Sequence, residues 1–270
     1  MRGTFFLLLS LWLHATAVSA PSLPASSPGS HSVSFCDEAN EWPPYTYYRR
    51  VAGERSKELT GFTVELLHLI AARRGFVLRI DMLPWKRCVE MVRSGVITAM
   101  LNAISNPERE RDFLVSDVLY ETRLLYLWSR RQKPGGVRIQ NQADLAALRV
   151  GGVHGYSYSQ LDLINQNALV RAPNYSSLVQ MLHRDRIDVA LINEGVMLGH
   201  AALNLAEFAN QSDVGHAALE DRAPSRFHIM FTRAHPAGER LHALVNAELA
   251  LMARSGELAK LRALHTQPAH

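Results

Sequence analysis

Two hydrophobic rhythms alternate along the chain. From Phe62 to Arg74 the apolar residues Val64, Leu67, Ile70 and Ala71 recur at helical spacing, and Gly75 marks the stop. Val77 to Leu83 reads as a strand. Pro84-Trp85 opens a helix running through Cys88, Val89 and Val92 to Gly95, and Ile97 to Asn102 is the next strand. With a short buried strand over Ser32 to Cys36 the order is βαβαβ, which implies a parallel sheet with crossover helices. The same rhythm returns later: strands over Arg149 to Val153 and Leu169 to Ala172, a helix over Tyr175 to Arg184, and a buried strand over Asp188 to Ile192. Between the two blocks, Leu119 to Arg130 is a long extended run that reads as one strand crossing out of the first block. A turn at Lys133-Pro-Gly-Gly136 and a short helix over Asn141 to Leu148 follow it. Arg226 to Thr232 is a strand that can return to the first block. Pro236 to Arg254 is a long helix with Leu241, Leu244, Val245, Leu249 and Met252 on its apolar side, and Ser255 to Leu258 opens a last one.

The first residues read as an address. Arg2 precedes an apolar run from Phe5 to Leu13, broken by Ser10, and Ala15-Thr16-Ala17 is a small-x-small cleavage site. The run is too short for an ordinary membrane span, although an uncleaved anchor is the alternative. Residues 1–17 are therefore expected to be a signal peptide, with Ala20 as the later possible cut, and 18–32 a Pro/Ser-rich flexible leader. No cysteine near the site offers a lipid anchor, so a soluble periplasmic protein is expected. The remaining chain is long enough for one large domain or two small ones, and 47% hydrophobic and 20% charged residues mark it as globular. The net charge of +4 is scattered, with no basic stripe and interleaved aromatics, so nucleic acid is not an expected partner. Arg49-Arg50 and Arg73-Arg74 read as solvated faces. In an exported protein the two cysteines, Cys36 and Cys88, are expected to be bonded; two separately buried thiols are the alternative. The 12 histidines form no ligand spacing, and neither a metal site nor a cofactor is expected.

Candidate chemistry collects at strand ends. The run from Ile97 to Leu101 ends in Asn102, Ser105 and Asn106, followed by Pro107, Glu108 and Arg109 at the start of a short helix. Ligands of open α/β sheets bind at such carboxyl ends, and the Arg109 fork fits a carboxylate. Trp42, Tyr45 and Tyr47 offer ring faces on a loop stiffened by Pro43-Pro44, and Trp85 stands at another strand's end. Each of these has a plain packing alternative, and Arg109 has an ion pair with Glu110, Asp112 or Asp117 as its own.

Asn106-Pro-Glu-Arg109 followed by Phe113-Leu-Val-Ser-Asp117 resembles the "TPER…DFS" signature of family 3 bacterial solute-binding proteins. Gly61-Phe-Thr-Val-Glu-Leu-Leu67 resembles that family's "GFDVDL" helix start, and the likeness runs from about Val33 to about Leu264. It implies a type II periplasmic-binding-protein fold of class α/β. Each of its two lobes is a mostly parallel sheet flanked by helices. Lobe 1 would comprise 33–128 and 226–268, lobe 2 129–225, with a two-strand hinge near Trp128 and Ser225. The resemblance implies a ligand carboxylate on Arg109, an aromatic of the Trp42–Tyr45 loop stacked on the ligand, and the Ser157 hydroxyl at the start of a helix in the second lobe. The family's amino-group-binding Asp falls on Asn193 here, which weakens the expectation of an α-amino acid and favours other small carboxylates or amide-bearing solutes as well.

The leading expectation is a monomeric binding protein without catalytic activity that closes on a small polar solute for an ABC permease or a membrane sensor. Its ligand residues are expected to be Arg109, Asn102, Ser105, Tyr45, Trp42, Trp85, Ser157 and Asn193. An exported lyase on the same fold, resembling cyclohexadienyl dehydratases, is the alternative, with Glu41, Glu194 and His154 as acid–base candidates. A module that binds cell-wall fragments is a third reading.

Overall fold

The computed structural model describes residues 32–205 and 211–266. The expected signal peptide and leader lie outside the described residues, except that Ser32 opens the first strand. In chain order the first part carries β1 (Ser32–Glu38), β2 (Tyr47–Val51), β3 (Glu54–Thr60), α1 (Phe62–Arg74), β4 (Val77–Leu83), α2 (Trp85–Arg93), β5 (Ala99–Ile104), α3 (Pro107–Asp112), β6 (Phe113–Val115) and β7 (Tyr120–Thr122). The second part carries β8 (Leu124–Ser129), β9 (Val150–Val153), β10 (Val170–Ala172), α4 (Tyr175–His183), β11 (Val189–Asn193), α5 (Glu194–Ala202) and β12 (Val214–Ala218). The chain then returns through β13 (Ser225–Thr232), α6 (Pro236–Arg254) and α7 (Glu257–Thr266).

The strands form two large sheets, ordered β4-β1-β5-β13-β6 with β7 beside β13, and β10-β9-β11-β8-β12. Three strands run parallel in each: β4, β1 and β5 in the first, and β10, β9 and β11 in the second. The crossing strands β8 and β13 join antiparallel. Helices close the faces because their apolar stripes need cover: Phe62, Leu66, Leu67 and Ile70 of α1 pack in one cluster with Val245, Leu249 and Met252 of α6. Arg73 and Arg74 are exposed, as expected, but they are also paired. They bind Glu248 of α6, a carboxylate only 3% exposed, across the α1–α6 contact. Cys36 and Cys88 are bonded, with Cα atoms 5.7 Å apart, and tie β1 to α2.

Three further elements differ from expectation. The run from Leu119 to Arg130 is two strands in two sheets, β7 against β13 and β8 against β11 and β12. The break falls at Arg123, whose carbonyl accepts from the Glu194 N–H at 2.9 Å and whose guanidinium binds the Glu194 carboxylate, drawing the backbone out of either ladder. The first crossing is thus at Arg123 rather than Trp128, and the return crossing is the segment 219–224 between β12 and β13. The aromatic loop is followed by a hairpin, β2–β3, that the polar run after Tyr48 concealed. No helix follows Ser157: Tyr158 turns inward so that its hydroxyl accepts from the Val153 N–H, and the Gln166 amide binds the Tyr158 and Leu161 carbonyls that a helical turn would have used.

Candidate functional site

The carboxyl ends of the parallel strands of both sheets face one cleft, which encloses about 450 Å³ of empty space, its open mouth included. From the first lobe come Asp37 and Glu38 at the end of β1, Trp42 from the loop beyond, Trp85 at the start of α2, Asn102 and Ile104 of β5, Arg109 of α3 and Phe227 of β13. From the second come Tyr156, Ser157 and Tyr158 after β9, Tyr175 at the start of α4, and Asn193 at the end of β11.

Asn102 organises the floor. It sits in the left-handed region at φ 50°, a conformation that asparagine tolerates better than most residues, and this turns its amide inward. Its Nδ2 donates to Asp37 Oδ2 at 2.6 Å and to Thr46 Oγ1 at 2.9 Å. Its Oδ1 accepts from Thr63 Oγ1 at 2.8 Å and from the Tyr120 hydroxyl at 3.0 Å. The Trp42 indole N–H donates to that same hydroxyl at 3.0 Å, so the ring facing the cleft is held by the network. Trp42 in turn meets Tyr156 edge to face at 5.4 Å between centroids, an aromatic contact from one lobe to the other.

The wall of α3 carries the cleft's cation. Asn106 caps that helix by accepting from the Arg109 N–H at 2.8 Å, and Arg109 Nη1 donates to the Ile104 carbonyl at 2.8 Å. The guanidinium carbon lies 5.5 Å from the Trp85 ring centroid. The carboxylates near it in sequence are engaged elsewhere: Glu110 accepts from Ser105, and Asp112 pairs with Arg93. Burial lowers the Arg109 pKa to about 10, which leaves it charged at neutral pH. On the opposite wall Asn193 is 6% exposed, and its Oδ1 has no hydrogen-bond partner.

Two acids line the same space. Asp37 is 1% exposed and Glu38 4%. Burial raises Asp37 to about 6, against hydrogen bonds from the Glu38 N–H, Thr46 and Asn102 that lower it. Burial, reinforced by the adjoining Asp37 charge, raises Glu38 to about 7.

The model of the bacterial extracellular solute-binding proteins, family 3, matches residues 38–267. The chain belongs to this family. Solved structures share its fold at low identity. A substrate-binding protein of an amino acid ABC transporter from Streptococcus pneumoniae, bound to L-arginine, is 21% identical, with 86% of this chain and 92% of that one covered at a TM-score of 0.68. A histidine kinase sensor domain with similarity to periplasmic binding proteins is 15% identical, with 88% and 97% covered at 0.70. EhuB in complex with hydroxyectoine is 18% identical, with 87% and 88% covered at 0.70. These relatives establish the α/β, type II two-lobed fold for this family 3 member. No curated protein matches the chain. Among the described residues no helix is long and apolar enough to cross a membrane.

Six of the residues singled out from the sequence of this family 3 chain meet in the cleft: Trp42, Trp85, Asn102, Arg109, Ser157 and Asn193. The Asn102 amide is already fully hydrogen-bonded within the floor. Ser157 lies opposite Arg109 without the expected helix start behind it, and its hydroxyl accepts from Asn106 Nδ2 at 3.3 Å. Two do not line the cleft. Tyr45 is stacked on Tyr120 at 3.6 Å beneath the floor, and Ser105, one residue past the inward-facing Ile104, turns away to bind Glu110 at 2.7 Å. None of Glu41, Glu194 and His154 lines it either. Sequence reasoning missed Asp37, Glu38, Tyr156, Tyr175 and Phe227. The strand-end rule that found Asn102 also applies to Asp37-Glu38, but the first strand was expected to end at Cys36 and the two acids beyond it were not considered.

Proposed function

We propose that this family 3 protein is an exported receptor that closes its two lobes on a small amino-acid-like carboxylate and presents it to an ABC permease or a membrane sensor. The hinge is the pair of crossings at Arg123 and 219–224. The observation that carries the reading is Arg109: a charged fork in the cleft, with no carboxylate within ion-pair distance among the described residues, facing the second lobe's Ser157 across the space. Trp42 and Trp85 supply ring faces for the ligand's body, and the unpartnered Asn193 oxygen accepts a ligand donor. Relatives holding arginine and hydroxyectoine support a small charged solute.

The test is mass spectrometry of material released by denaturing freshly purified, undialysed protein. A stoichiometric small carboxylate is the expected result. Protein that releases nothing, and that no compound in a library of amino acids and small organic acids stabilises against heat, would overturn the reading.

One observation favours a second reading. Asp37 and Glu38 titrate near neutrality, as a general acid–base pair in a lyase of the cyclohexadienyl dehydratase kind would. Turnover of prephenate or arogenate by the purified protein would establish it.

A further inference from the structure

We propose that Asn106 and Ser157 form a latch that joins the two lobes without a solute, so that the Ser157 hydroxyl belongs to the closure of the cleft and not to the solute. The inference rests on the closing reading above and specifies what regulates the closed form.

The latch is one side chain with two duties. The Arg109 N–H can only donate, so the Asn106 oxygen must face α3, where it accepts at 2.8 Å. That fixes the amide and leaves Nδ2 aimed at the other lobe, where it donates to Ser157 Oγ at 3.3 Å. Ser157 then has nothing left to offer. Its hydroxyl donates to Ser159 Oγ at 3.0 Å and accepts from the Ser159 N–H at 3.4 Å, so its proton and both lone pairs are engaged. A free hydroxyl opposite Arg109 would suit a solute carboxylate, and a committed one does not.

The seam around this bond is shut as well. Asn106 ends the loop after β5 and Ser157 lies in the turn after β9, so the bond ties a strand end of one sheet to a strand end of the other. A Cβ on Gly155 in that turn, at φ 83°, would stand 3.3 Å from Trp85 Cδ1 and from Lys86 Cγ of α2, which leaves no room for a solute between the turn and the helix. A second bond crosses at another pair of strand ends, from Asn40 Nδ2 beyond β1 to the Pro173 carbonyl beyond β10, at 3.2 Å. Water competes for that exposed bond, whereas the one from Asn106 to Ser157 is partly buried.

The strength of such a bond decides what the latch does. One hydrogen bond typically changes an equilibrium by about fivefold. That is enough to populate a closed form and too little to lock it. The solute therefore shifts an equilibrium that already contains the closed form, by its differential affinity for the two states. A membrane partner that reads closure receives a basal signal from the empty protein.

The test uses solute-stripped protein, with spin labels on the exposed positions His68→Cys of α1 and Gln180→Cys of α4. The native cysteines are bonded to each other and take no label. Electron–electron resonance is expected to resolve two label distances in this otherwise wild-type protein. Asn106→Ser keeps a capping oxygen for α3 but is too short to reach Ser157. It is expected to lower the closed-to-open ratio about fivefold. Ser157→Ala should lower it by the same factor, and the double variant no further, because the two substitutions remove one bond. Small-angle scattering of the unlabelled proteins makes the same comparison if a labelled variant does not fold. A single open distance in the wild type, or an unchanged ratio in both single variants, would overturn the latch. So would losses that simply add in the double variant. A Ser157 that served only the solute would leave the empty protein's ratio untouched. The solute-binding reading is decided separately, by whether the purified protein releases a solute.

Discussion

At the residue scale, the cleft divides its polar groups into committed and uncommitted ones. Asn102 has every amide position engaged, so it holds Asp37, Thr46 and the Trp42–Tyr120 pair in place instead of reaching outward. Arg109 is the opposite case: its guanidinium donates to one backbone carbonyl, that of Ile104, and has the Trp85 ring face beside it. A bidentate carboxylate contact in a closed site is charge-assisted on both arms. Arg109→Ala is therefore expected to lower affinity for the co-purified solute at least tenfold, roughly 1.4 kcal/mol. Arg109→Lys keeps the charge without the planar fork and should recover only part of that loss. Calorimetry on variants shown by circular dichroism to be folded checks both. Undiminished affinity in folded Arg109→Ala would remove the carboxylate from this position.

At the scale of elements, the seam between the lobes depends on a helix without side chains where it meets the opposite loop. A Cβ on Gly199 of α5 would stand 2.5 Å from the Pro43 carbonyl carbon and oxygen, and one on Gly195 would stand 2.4 Å from the Tyr45 hydroxyl. The Pro43 contact is with backbone, which has little room to yield. Alanine favours a helix over glycine by about 1 kcal/mol, so Gly199→Ala should leave α5 intact. Overpacking of this kind costs roughly 1–3 kcal/mol and is borne only when the lobes are shut. The expected result is unchanged helix content with at least fivefold weaker solute binding, measured by circular dichroism and calorimetry. Equal affinity would mean that α5 and the loop do not press together in the bound form. The sequence reading placed no element after the Asp188–Ile192 strand, and the glycines' purpose lies in the distant segment around Pro43 and Tyr45.

At the scale of the whole molecule, two crossings connect two sheets that each have their own parallel strands. A solute held by Arg109 on one side and Asn193 on the other touches both lobes, and it favours the closed arrangement by the difference in its affinity for the two states. Small-angle scattering of solute-stripped protein is expected to show a larger radius of gyration than the same protein saturated with its solute. An unchanged radius at saturation would count against closure as the signal to a membrane partner.

The amino-acid sequence by itself determined the elements whose signals are local. Gly75 ends α1 in the left-handed conformation, Asn106 and Pro107 start α3, and Pro236 opens α6 where the pattern placed it. It also pointed to Arg109 as a cleft-lining residue, because a strand end followed by a cap and an arginine is a local arrangement. Tertiary structure decided what depends on distant partners. Tyr158 turned inward to Val153 and displaced the helix expected after Ser157. Glu194 broke one extended run into β7 and β8. Arg50 and Arg55 neutralised Glu41, while Asp37 and Glu38, in the same short charged run, have no Lys or Arg within ion-pair distance among the described residues. Whether a carboxylate is solvated, paired or poised for a ligand is set by what folds against it, and residues adjacent in sequence carry no record of that.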